Sequence, residues 1–138
     1  MTQTSDVTMV ASAIHNPAEP RHFMRLKPVE RRVRVLRDGN VIAETANALR
    51  VLEVGKDIYD PVLYLPPEDV KARLTKVTRS THCPLKGDAS YYDLVDAEGQ
   101  VLVSDIAWSY ADPLEFAADL SGRIAFYANH VTFEESPL

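Results

Sequence analysis

Arg32-Val33-Arg34-Val35 alternates charge with aliphatic bulk, and Asp38-Gly39-Asn40 follows almost at once, ahead of the apolar run Val41-Ile42-Ala43. A side-chain period of two puts both valines on one face and both arginines on the other, the mark of a half-buried strand. Aspartate and glycine supply the conformations of a tight hairpin turn. This segment therefore commits the chain to antiparallel β structure. The same reading places strands at residues 49–54 and 62–65, with 55–60 as the loop between them, and a strand at 74–77. A long hairpin follows, its arms at 89–95 and 101–110 flanking the turn Asp96-Ala97-Glu98-Gly99-Gln100. Residues 123–127 and 131–134 close the chain as strands.

Two short helices are expected among these strands. Pro66-Pro67-Glu68-Asp69 suits a helix start of one or two turns, because proline fits the first turn and carboxylates complement the positive end of the dipole. The second runs from Asp112 as N-cap and Pro113 at the first position, through an apolar stripe of Leu114, Ala117, Ala118 and Leu120, to a stop at Gly122. The fold class is therefore mainly β, or α+β, and not a doubly wound nucleotide fold, which needs long crossover helices. Residues 1–28 carry Pro17, Pro20 and Pro28 without either periodicity and read as an extended N-terminal arm, in which His15 and His22 are solvated. Residues 29–138 read as one β-rich domain.

A chain of 138 residues with 46% apolar side chains is of a size to bury one core. It contains no apolar run long enough to span a membrane and no signal-peptide pattern, so a cytoplasmic location is expected. One cysteine and four scattered histidines give none of the local spacings that build zinc sites, and neither a metal nor any cofactor is assigned. Basic residues from Arg21 to Arg37 contrast with a C-terminal stretch that, from Asp88 on, holds ten acids and only Arg123. Such a split suits a basic segment docked on the acidic half, a contact between subunits in a homo-oligomer, or an anionic ligand. With a pI near 5.3 and no basic helix, nucleic acid is not the expected partner.

Reactive and aromatic side chains concentrate in Thr81-His82-Cys83-Pro84-Leu85-Lys86-Gly87-Asp88-Ala89-Ser90-Tyr91-Tyr92. Lys86 lies three residues from Cys83, where its ammonium favours a thiolate able to act as nucleophile or redox group. A lone cysteine also reads as a small buried hydrophobe. Lys86 and Gly87 can present a cation and an open backbone to a phosphate or carboxylate, although the order of a P-loop is absent. Asp88 is a candidate to orient Lys86 or act as a base, and Glu68 and Asp69 are the other acids considered. Tyr91 and Tyr92 must face opposite sides of a strand, whereas Trp108 and Tyr110 share one. Trp108 and Tyr110, with Tyr64, one of the two adjacent tyrosines and either Phe126 or Tyr127, can wall a pocket for a planar ligand.

CPLKGDASYY, AWSYADP and AFY, together with RVRVLRDGNVIAET and VLYLPPEDV upstream, resemble domain-of-unknown-function family 427 over roughly residues 30–134. The resemblance implies a single β-tent-like domain, similar in outline to certain zinc-binding chaperones and methionine sulfoxide reductases but without their cysteine pairs. It also implies the nucleotidyltransferase-like label that some collections attach to the family. Three functions stay open: a small-molecule-binding domain for an anionic or nucleotide-like ligand, with Tyr64, Lys86, Gly87, Tyr91, Tyr92, Trp108, Tyr110 and Tyr127 around it; an enzyme acting through Cys83 or Lys86; and an interaction module using the basic arm.

Overall fold

In the computed structural model, which describes residues 10–138, the strands are β1 (Ile14–Asn16), β2 (Glu19–Pro28), β3 (Arg32–Arg37), β4 (Asn40–Thr45), β5 (Leu49–Val54), β6 (Val62–Tyr64), β7 (Leu74–Cys83), β8 (Gly87–Val95), β9 (Val101–Ser109), β10 (Ile124–Phe126) and β11 (Thr132–Ser136). The chain is mainly β, and its sheets are antiparallel. Their strand orders are β1-β2-β5-β6, β10-β9-β8-β7 and β11-β3-β4. Among the described residues no helix is long and apolar enough to cross a membrane.

The β3–β4 hairpin forms as its alternation requires. Val33 and Val35 are fully buried, and Asp38 and Gly39 both take positive φ, at 50° and 79°, in the turn. On the outer face Arg32 and Arg34 donate to Glu44 at 3.2 and 2.9 Å. In the β8–β9 hairpin the Asp96 carboxylate accepts from the backbone of Glu98 and Gln100, at 2.9 and 2.8 Å. Part of the charge asymmetry is spent inside the molecule: β11 pairs with β3, setting Glu134 opposite Arg34, and Glu135 takes an ion pair from Arg50.

The two expected helices are not borne out, because neither segment becomes α-helical. Pro67–Asp69 makes a single 3-10 turn. Glu115–Leu120 is a 3-10 segment broken at Ala117, whose φ and ψ are −112° and 20°; Leu114, with no side-chain cap, stands at its start in place of Asp112. Both ends of this segment are tied to other elements, Leu114 N–H to the Lys86 carbonyl at 2.9 Å and Gly122 N–H to the Tyr110 carbonyl at 3.0 Å. Too few residues lie between those ties to repay the nucleation of an α-helix, and the tighter 3-10 bonding fits the span. Ala117 and Leu120 still point inward, and Gly122 still ends the segment at φ 71°.

Of the residues read as an arm, 1–9 lie outside the described residues, while β1 and β2 pair into the first sheet and β2 runs beside β5 from Phe23 to Pro28. Met24 on β2 is fully buried. Its neighbours at the same spacing are His22 and Leu26, a mixed set that hides the period of two.

Two cores result. Val33, Val35, Leu65, Ile106 and Phe126 belong to one, in which all three sheets meet. Met24, Val51, Leu85, Tyr91 and Leu120 belong to the other, between the first two sheets. Leu65 and Ile124 exchange two backbone hydrogen bonds of 2.8 Å, which tie the chain just past β6 to β10.

Gly87 has φ 109°, and a Cβ there would lie 3.1 Å from the Leu114 nitrogen. Gly87→Ala should therefore cost about 1–3 kcal/mol through strain and lost docking of the 113–114 segment, read as a lower urea midpoint at unchanged m.

Candidate functional site

Pro84, Leu85 and Lys86 form the turn between β7 and β8, and its geometry turns the lysine inward. Leu85 is fully buried as the plug of the second core. Leu114 N–H fixes the Lys86 carbonyl on the far side, and the positive φ of Gly87 completes the reversal. The Lys86 side chain, only 7% exposed, then reaches across to β5, where Nζ donates to Glu53 Oε1. The ring of Tyr110 lies 5.9 Å from the same nitrogen.

Glu53 is shared. Its Oε2 meets His22 Nε2 at 2.7 Å, so one carboxylate joins β2, β5 and the β7–β8 turn. Burial pushes the Glu53 carboxyl up, but the hydrogen bonds from His22 and Lys86 outweigh it and hold the group below its ordinary value. Gly55 lets the imidazole approach closely, since a Cβ there would lie 3.1 Å from His22 Cδ2. Cys83, at the end of β7, is partly buried, and its sulfur stands with the ligand atoms of His22 and Glu53 within 4.8 Å of one another.

Aromatic rings enclose this polar cluster in a cleft of about 420 Å³. Trp108 donates from Nε1 to the Tyr64 hydroxyl at 3.0 Å, with the two rings perpendicular at 6.1 Å. Tyr127 lies 4.5 Å from Trp108, and Tyr110 lies 6.4 Å from Tyr64. Tyr91 hydrogen-bonds Thr81 at 2.6 Å and carries the Arg79 guanidinium over its ring at 3.8 Å. Desolvation pushes the phenols of Tyr64 and Tyr110 far above their ordinary value of 10, so both remain neutral hydroxyls.

Seven of the nine residues expected at a pocket come together here: Tyr64, Cys83, Lys86, Tyr91, Trp108, Tyr110 and Tyr127. Tyr92 points to the opposite side of β8 and packs against the first core, and the open side of Gly87 is filled by Pro113 and Leu114. Asp88 does not meet Lys86; it pairs with His82 at 2.8 Å on the exposed face of the β7–β8 ladder. Asp69 accepts from Thr45 at 2.7 Å, outside the cleft. Sequence reasoning missed His22, Glu53 and Tyr59, which also line it. The one available signal was Glu53 itself, an acid interrupting the apolar run of β5.

A family model described as Domain of unknown function (DUF427) matches residues 25–136. No protein of curated function matches the chain.

Lys86→Met leaves Glu53 with His22 as its remaining partner, so it should lower stability by about 1–3 kcal/mol. Lys86→Met combined with Glu53→Leu should recover part of that loss in a urea double-mutant cycle; strict additivity would mean that the two side chains do not interact. Tyr64 and Tyr110 set an alkaline limit. Because their folded pKa values lie above the unfolded 10, their contribution is complete below pH 10 and is lost as pH rises beyond it. Urea unfolding at about pH 9 and about pH 11 should show that fall, and Tyr64→Phe should reduce it.

Proposed function

The chain belongs to the DUF427 family, and we propose that its cleft binds a small, planar, anionic molecule. The observation that carries this reading is the placing of a buried Lys86–Glu53–His22 network beneath a wall of tyrosines and one tryptophan. Lys86 has three N–H donors and gives one to Glu53, which leaves donors for a carboxylate or phosphate of the ligand. Trp108 and Tyr127 offer faces for stacking, and neutral phenols offer O–H donors that fix orientation.

Nucleotidyl transfer draws less support, because Glu53 is the only carboxylate among the residues lining the cleft, and two-metal transfer uses a pair. An interaction module built on the basic N-terminal arm also draws less, since β1 and β2 of that arm pair into the first sheet. A β-tent-like architecture, supported by three antiparallel sheets closing on shared cores, and a cytoplasmic location belong to the same reading.

The single tryptophan reports directly on the cleft. Adenosine monophosphate, an anion with a planar base, and benzoate, a planar anion, should quench its fluorescence and raise the melting temperature, whereas succinate, anionic but without a planar ring, should do so weakly. Tyr127→Ala, a change at the rim, should weaken binding about tenfold, equivalent to about 1.4 kcal/mol. Neither quenching nor a thermal shift with any of the three, in folded protein, would reject the reading.

A further inference from the structure

We propose that His22, Glu53 and Cys83 form a site for one divalent transition-metal ion of the zinc type, with its fourth coordination position open to the aromatic cleft. Imidazole nitrogen, carboxylate oxygen and sulfur are all competent ligands, and their atoms already lie within 4.8 Å of one another. Tetrahedral zinc with bonds of about 2.0–2.3 Å holds its ligand atoms about 3.3–3.8 Å apart. His22 Nε2 and Glu53 Oε2, now 2.7 Å apart, need to open slightly while the sulfur closes by about 1 Å, movements within the reach of side-chain rotation. The three residues sit on β2, β5 and the end of β7, paired strands whose backbones hold them in place.

A mixed nitrogen, oxygen and sulfur set selects a borderline-soft ion over magnesium or calcium, which take oxygen ligands. The surroundings also suit a centre. Lys86 binds Glu53 Oε1 and so leaves Oε2 to the ion, acting as the outer partner that orients a ligating carboxylate. The imidazole is seated against Gly55. On binding, the Cys83 thiol releases its proton to solvent, and the imidazole carries its proton on Nδ1, which presents the Nε2 lone pair to the ion. Thiolate and carboxylate then cancel the dication, and the Lys86 ammonium leaves one positive charge. The open position therefore takes an anion, either hydroxide or an oxygen of the bound molecule, and this last point rests on the binding reading above.

Cobalt(II) added to full-length protein stripped with chelator provides the test. A thiolate-to-cobalt charge-transfer band should saturate at one equivalent, disappear on adding zinc, and be absent in Cys83→Ser. His22→Ala should weaken cobalt binding at least about tenfold with the β circular dichroism retained. Absence of the band in folded wild type, or its persistence at unchanged affinity in His22→Ala, overturns the site. Adenosine monophosphate titrated with and without zinc keeps the two proposals apart. Tryptophan quenching without metal in a protein that shows no cobalt band removes the metal site and leaves the binding cleft; a cobalt band with no quenching by any anion does the reverse.

Discussion

The contact between Lys86 and Glu53 is the constraint on which the rest of the site depends. Two charges taken out of water are costly unless the geometry is good and their remaining valences are met. Glu53 has His22 on its second oxygen, and Lys86 has the Tyr110 ring beside it while keeping N–H donors beyond the one given to Glu53. Because the pair links β5 to the β7–β8 turn, it ties the first sheet to the second beside their shared core. The cleft is the space left above that tie. Leu85 and Lys86, adjacent in sequence, divide the work, one plugging the core and the other crossing it.

Much of the β framework was legible in the sequence because local chemistry decides it. Val33 and Val35 announce β3, Asp38-Gly39 its turn, and Asp96 the β8–β9 turn, each through interactions within a few residues. The opposed directions of Tyr91 and Tyr92 follow from the pleat alone. The gathering of aromatic residues into one cleft was visible for a related reason: they cluster in strands that pair directly, Tyr91 opposite Trp108 and Trp108 opposite Ala125, two residues from Tyr127.

What was not legible is long-range. His22 meets Glu53 across 31 positions and Lys86 meets it across 33, so no local spacing marks the cluster. The same separation hid the fate of Gly87, whose close neighbour is the backbone near residue 114 rather than a ligand. The helix that failed to form at Glu115–Leu120 had suitable composition, but tertiary hydrogen bonds at its two ends set its length. Asp105 is a further case. Its φ of 50° and its backbone bond to the Asp93 carboxylate, at 2.9 Å, mark a bulge that shifts the phase of β9 and lets Ile106 and Ala107 both be buried.

The bridge between Leu65 and Ile124 has a consequence for life at high concentration. β6 and β10 are the terminal strands of their sheets, each only three residues long, and unpaired strand edges template association between molecules. That bridge sets the two strands next to each other and covers part of that border. The other borders of these two sheets are β1, also three residues long, and β7, which carries Lys76, Arg79 and an irregular register between Lys76 and Ser80. Short length, positive charge and broken register each discourage another chain from adding a strand, so the fold guards itself against aggregation at the edges it cannot close.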